Sequence, residues 1–119
     1  MYSAQLLDHF QNPRNVGELG IGAIRVEMSN PACGDLMHLA ARFENGFVSE
    51  IRFKVRGCTA SIAAGSALTE LALGKNIGAL QSIVAADIEA ALGGLEPASR
   101  HAAVLCIDAL RRLLAAYKV

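Results

Sequence analysis

The chain has 119 residues, with 11 basic and 11 acidic side chains and a hydrophobic content of 53%. This length and hydrophobicity fit one compact domain with a substantial core and exclude a disordered protein. The zero formal net charge argues against a general binder of nucleic acid or anionic membranes, because both depend on clustered positive charge. We expect a single domain over residues 1–119.

The cysteines and the N-terminus indicate a cellular compartment. The chain has three cysteines, an odd number, and they lie far apart in the sequence: Cys33, Cys58 and Cys106. This pattern does not form a dense disulfide framework. No apolar run approaches the roughly 18 residues of a membrane span, and no basic segment followed by an apolar one marks a signal peptide. The sequence predicts a cytoplasmic protein with reduced thiols.

The first predicted element is a short helix that Ser3 caps and that ends at Asn12, before Pro13. Its expected apolar stripe consists of Leu6, Leu7 and Phe10. The glycines of the following loop lack the spacing of a dinucleotide-binding motif, so we discard a nucleotide site there.

Strand patterns occupy the chain from about residue 24 to residue 55. Apolar and polar residues alternate on either side of Asn45-Gly46, a dipeptide that accepts the positive φ angles of a tight hairpin turn. This pattern predicts three strands in an antiparallel meander.

The rest of the chain is rich in alanine and is predicted to be helical. We expect helices over residues 61–73, 78–83 and 86–92, and a long last helix that Ser99 caps and that ends near Tyr117. Strands followed by helices are typical of an α+β domain. The expected fold is a three-stranded antiparallel sheet with helices packed on one face.

Four side chains at element boundaries are candidate metal ligands: Cys33, Asp35, Cys58 and His101. Cys33 and Asp35 belong to the turn between the first two strands, and Cys58 opens the first alanine-rich helix. A thiol at that place lies at the positive end of the helix dipole, which favours the thiolate. Thiolate, imidazole and carboxylate together ligate zinc or iron.

The spacing of these four residues leaves two interpretations open. They lie scattered along the chain without a Cys-x-x-Cys pair, so they form either a metal or cluster site or none at all. In the second case the cysteines are small buried hydrophobic residues, Asp35 is a turn residue and His101 begins a helix.

Motifs along the whole chain resemble the IscU/NifU N-terminal family of iron–sulfur cluster assembly scaffolds. The resemblance rests on the segments Asp8 to Gly17, Pro31-Ala32-Cys33-Gly34-Asp35, Gly57-Cys58, Ala91 to Leu95, and His101. It implies an α+β sandwich and a non-catalytic scaffold, not an enzyme. Such a scaffold receives sulfur from a cysteine desulfurase, assembles a [2Fe-2S] cluster and passes it to recipient apo-proteins.

Carried over by position, the resemblance makes Cys33, Asp35, Cys58 and His101 the ligands of iron, of a labile [2Fe-2S] cluster, or of zinc when no cluster is bound. The family has a third cysteine directly after the histidine, where this chain has Ala102. Cys106 lies one helical turn further on among apolar neighbours, so we predict that it is buried core and not a replacement ligand.

A second departure concerns partners. The family's chaperone-recognition motif Leu-Pro-Pro-Val-Lys is replaced by Leu95-Glu96-Pro97-Ala98-Ser99, which weakens the expectation of contact with an Hsp70-type chaperone. The alternative to a working scaffold is a degenerate paralogue that binds zinc or the desulfurase as a regulatory or interaction protein. A thiol enzyme using Cys58 and His101 is a third hypothesis, for which the sequence offers no oxyanion-binding element.

Overall fold

The computed structural model describes residues 2–30 and 34–117. In chain order the elements are α1 (Ala4–Gln11), β1 (Ile24–Asn30), β2 (Asp35–Glu44), β3 (Phe47–Arg56), α2 (Thr59–Ala72), α3 (Ile77–Gln81), α4 (Ala85–Ala91), a 3-10 turn (Pro97–Ser99) and α5 (His101–Ala116). The three strands form one antiparallel sheet in the order β1-β2-β3. The predicted α+β fold class is confirmed. No helix in the described ranges is long and apolar enough to cross a membrane.

The hairpin between β2 and β3 turns at the predicted dipeptide. Asn45 has a φ of 54° and Gly46 a φ of 82°, which are the two positive values that a two-residue hairpin loop of this kind requires. The strands on either side pair from Leu36 with Arg56 down to Glu44 with Phe47. The Asn-Gly signal therefore sets both the position of the turn and the pairing of the two longest strands.

One face of the sheet forms the floor of the core. Met37, Leu39 and Ala41 alternate along β2 and are at most 1% exposed, and Ile51 and Phe53 continue the same face on β3. Because successive side chains of a strand point to opposite faces, Asp35 lies on the same face as Met37, at the end of β2. A carboxylate is thus directed toward the helices and is only 5% exposed.

Helix α2 packs closely on this face through a glycine. A Cβ atom at Gly65 would lie 2.5 Å from the ring of Phe53, so a larger residue there would force helix and strand apart. A glycine inside a helix costs about 1 kcal/mol relative to alanine. The close contact with Phe53 is the structural reason for its presence.

Helix α1 has the predicted limits but a different buried face. Ser3 accepts a hydrogen bond from the backbone N–H of Leu6, and the helix ends at Asn12. Leu6 and His9 are buried, whereas Leu7 and Phe10 are each 37% exposed. Leu6 is buried as predicted, but Leu7 and Phe10 are not, because His9 has polar partners on α2 and shares the buried face with Leu6.

The last helix begins one residue later than predicted. Ser99 ends the 3-10 turn, and α5 starts at His101 with Arg100 as its N-cap and without a side-chain cap. The fixed φ of Pro97 favours the turn that precedes the helix. This correction places His101 at the first position of α5. Its predicted apolar stripe is confirmed, since Leu105, Ala109 and Leu113 are buried.

Candidate functional site

Three of the four candidate ligands converge at the end of the sheet where β2 starts. Asp35 is the first residue of β2, Cys58 is the N-cap of α2 and His101 is the first residue of α5. Their ligand atoms all lie within 4.8 Å of one another. The fourth candidate, Cys33, lies outside the described residues.

The distances among the three ligand atoms form a nearly equilateral triangle. Asp35 Oδ2 lies 3.5 Å from His101 Nε2 and 3.7 Å from Cys58 Sγ, and Sγ lies 3.8 Å from Nε2. Tetrahedral coordination with bonds of 2.0–2.3 Å separates neighbouring ligands by about 3.3–3.8 Å. The triangle therefore has the size of one face of a tetrahedral metal site.

The histidine ring is oriented by the turn that precedes α5. His101 Nδ1 lies 3.0 Å from the carbonyl oxygen of Ala98, and a carbonyl only accepts hydrogen bonds, so Nδ1 carries the proton. In the neutral ring Nε2 then carries a lone pair and lies on the side of Asp35 and Cys58, where it can ligate a cation. A backbone carbonyl that fixes the tautomer in this way is typical of metal-ligating histidines.

The carboxylate of Asp35 is held by two residues that sequence reasoning left without a role. The Oγ–H of Ser61 donates a hydrogen bond to Oδ2. A Cβ atom at Gly57 would lie 2.6 Å from the carboxyl carbon of Asp35, so this carboxylate fits only beside a glycine. The sequence did contain a signal for Ser61. Ser61 is the N3 residue of the helix that Cys58 caps, and an N3 side chain commonly folds back toward the N-cap.

The arrangement does not match a thiol hydrolase. In a nucleophile–base–carboxylate triad, one ring nitrogen faces the nucleophile and the other donates to the carboxylate. Here Cys58 and Asp35 both face Nε2 of His101, while Nδ1 is bonded to a carbonyl. A carboxylate oxygen, a sulfur and a ring nitrogen within 4.8 Å of one another suit a bound cation better.

Cys106 takes no part in this cluster. Its side chain is fully buried in α5, five residues beyond His101 and thus about 7.5 Å further along the helix axis. Burial raises the pKa of its thiol far above the ordinary value, which suppresses the thiolate that metals require. The prediction that it belongs to the core is confirmed.

Residues 1–119 of the chain match the protein-family model described as NifU-like N terminal domain. The chain belongs to the NifU-like N-terminal domain family. It is 41% identical to the iron-sulfur cluster assembly scaffold protein IscU 1 of Archaeoglobus fulgidus, over 98% of this chain and 76% of that protein. It is 37% identical to IscU of Escherichia coli K12, over 98% of this chain and 94% of that protein.

Solved structures support the same fold. A putative iron-sulfur cluster assembly scaffold protein for the SUF system from Fervidobacterium islandicum aligns with a TM-score of 0.77 at 20% identity, over 95% of this chain and 96% of that chain. The N-terminal NifU-like protein of Brucella abortus aligns with a TM-score of 0.71 at 17% identity, over 95% and 93% of the two chains. At 20% and 17% identity these two structures establish only the architecture of the chain.

Proposed function

We propose that this NifU-like domain is an iron–sulfur cluster assembly scaffold. It holds iron or a labile [2Fe-2S] cluster on Cys33, Asp35, Cys58 and His101, and it passes clusters to recipient apo-proteins. The observation that carries the proposal is the triangle of carboxylate, thiol and imidazole atoms, with sides of 3.5–3.8 Å. It occurs in a chain whose relatives are named as scaffold proteins.

The number of ligands fits a cluster. Each iron of a [2Fe-2S] cluster takes two protein ligands beside the two bridging sulfides, and histidine replaces cysteine in some such clusters. The four proposed ligands supply that number, and they equally suit a tetrahedral zinc ion in the cluster-free protein. The role is non-catalytic, and a cysteine desulfurase supplies the sulfur.

The direct test is metal and acid-labile sulfide analysis of protein purified without air, followed by anaerobic reconstitution with iron and sulfide. We expect iron and sulfide in equal amounts and the visible absorption of a cluster, both lost in Cys58→Ala. Cys106→Ala is the matched control and keeps them. A wild-type protein that stays colourless and free of sulfide would contradict cluster assembly.

The second candidate function is a scaffold-derived zinc-binding or desulfurase-binding regulator. It is favoured by Ala102, which is fully buried beside His101 at the position of the third family cysteine. Ala102→Cys discriminates between the two. A stable cluster that forms in this variant and not in the wild type would support the regulator, whereas a cluster in both supports the scaffold.

A further inference from the structure

A buried hydroxyl group lies against the ligand triangle. Ser61 is fully buried at the third position of α2. Its Oγ–H donates to Oδ2 of Asp35, and its oxygen lies 3.3 Å from Sγ of Cys58. Oδ2 is the same carboxylate oxygen that faces His101 and Cys58. Ser61 therefore contacts the oxygen that would bind a metal.

This hydrogen bond leaves the helix that carries the serine. Ser61 lies in the first turn of α2, where the carbonyl four residues earlier, that of Gly57, is outside the helix. Ser66, which is also fully buried on α2, instead contacts His9 and accepts a hydrogen bond from the N–H of Arg14. The single proton of Ser61 is given to a carboxylate from another element, so this contact links α2 to β2 at the site.

The environment makes this hydrogen bond important for the carboxylate. Asp35 is 5% exposed, and a buried carboxylate is stable only when polar groups replace its lost water. Gly57 leaves the space that the carboxyl group fills, and Ser61 supplies a donor. Gly57, which has no side chain, and the hydroxyl of Ser61 together determine where Oδ2 of Asp35 lies in the metal-free protein.

We propose that Ser61 is a positioning residue that holds Oδ2 of Asp35 toward Cys58 and His101 and thereby strengthens metal binding at this site. The inference deepens the proposed function and rests on it. Ligating carboxylates in metal sites are themselves hydrogen-bonded, and loss of such a partner typically weakens metal affinity by about 10- to 100-fold. One lone pair of Oδ2 accepts from Ser61, and the other stays available to the ion.

The first test measures the dissociation constant of Co²⁺ for the reduced full chain without air. Ser61→Ala is expected to weaken binding by about 10- to 100-fold, while the thiolate-to-cobalt absorption from Cys58 persists at saturation. Ser66→Ala is the matched control, because it removes an equally buried serine hydroxyl from the same helix. Unchanged affinity in Ser61→Ala, or an equal loss in Ser66→Ala, overturns the proposal.

A double-mutant cycle tests whether Ser61 acts through Asp35. In an Asp35→Ala background the Ser61→Ala change should cost no further affinity, because the carboxylate it positions is gone. Ser61→Thr keeps the hydroxyl and should bind cobalt more tightly than Ser61→Ala. Additive losses in the cycle, or a threonine variant no better than alanine, contradict a positioning role.

A readout in the metal-free protein separates this inference from the proposed function. The ¹³Cγ resonance of Asp35 should move in Ser61→Ala and stay in place in Ser66→Ala. A wild-type protein that binds neither cobalt nor a cluster overturns the proposed function, and the metal-strengthening role of Ser61 with it. A resonance that does not move overturns the contact between Ser61 and Asp35 whatever the metal results are.

Discussion

At the scale of single residues, the site depends on where Asp35 can lie. Its side chain points toward the helices because it shares a strand face with Met37. Gly57 and Ser61 then confine the carboxyl group. The candidate site therefore includes Ser61, which supplies a hydroxyl, and Gly57, which leaves space because it has no side chain.

Gly57→Ala tests this confinement. The added methyl carbon would lie 2.6 Å from the carboxyl carbon of Asp35, which is closer than two carbon atoms can approach, so the carboxylate must move. We expect the affinity for Co²⁺ to fall by at least about tenfold, as it does when a residue that orients a metal ligand is mutated. Anaerobic titration measures the affinity, and circular dichroism checks the fold.

Gly20→Ala is the control for that substitution. A Cβ atom there would lie 3.9 Å from its nearest neighbour, the guanidinium of Arg42, so the methyl group fits. Its cobalt affinity should equal that of the wild type. If Gly57→Ala binds cobalt as tightly as Gly20→Ala, Asp35 is not confined by Gly57.

At the scale of elements, α1 is joined to α2 by a cluster of polar side chains around His9. The Nδ1 atom of His9 lies 2.8 Å from Ser66 Oγ, and Nε2 lies 3.4 Å from a carboxylate oxygen of Glu70. Arg14 contacts Glu70 and also Asp8, the neighbour of His9 on α1. Burial, assisted by the positive charge of Arg14, lowers the pKa of His9, although Glu70 and Asp8 oppose this shift.

The lowered pKa of His9 predicts a pH-dependent stability. Because the folded pKa lies below the unfolded value of about 6.5, the unfolded chain binds the proton more readily. The contribution of neutral His9 is complete above about pH 6.5 and is lost as the pH falls toward the folded pKa. We expect the free energy of unfolding in urea to decrease over this acidic range.

Substitution of His9 isolates its contribution to that profile. His9→Gln should reduce the pH dependence between neutral and mildly acidic pH. His38→Gln is the control, because His38 is half exposed on β2 and its Nδ1 lies 3.8 Å from a carboxylate oxygen of the exposed Glu27. If the free energy of unfolding of His9→Gln depends on pH as that of the wild type does, His9 is not the source of the pH dependence.

The sequence was sufficient for the order of the elements and for the buried face of α5, but not for the buried face of α1. Alternation and the Asn45-Gly46 turn predicted the sheet, since both signals are local. The inward turn of His9 depends on Ser66 and Glu70, which are more than 50 residues away. The N3 position of Ser61 was visible in the sequence, but its bond to Asp35 was not, because Asp35 is 26 residues away on β2.

At the scale of the whole molecule, the proposed ligands come from elements that are far apart in the sequence. Asp35 begins β2, Cys58 precedes α2 and His101 begins α5. An ion bound by all three crosslinks the sheet to the two longest helices. Since the unfolded chain does not hold these groups together, binding of the ion should favour the folded state.

This linkage predicts a metal-dependent melting temperature. Free Co²⁺ or Zn²⁺ at a hundredfold excess over the dissociation constant stabilises the folded state by about 2.7 kcal/mol. For a domain of this size that corresponds to a rise in Tm of roughly 10 °C. Differential scanning calorimetry of the reduced protein, with and without metal, measures the rise, and a chelator should reverse it.

Two cysteine variants determine where the stabilising ion binds. Cys58→Ala removes a ligand at an exposed position and should abolish most of the metal-dependent rise with little change in the metal-free Tm. Cys106→Ala creates a small cavity in the core and should lower the metal-free Tm while keeping the rise. A rise that survives Cys58→Ala and disappears in Cys106→Ala would place the ion within α5, contrary to the convergence of Asp35, Cys58 and His101.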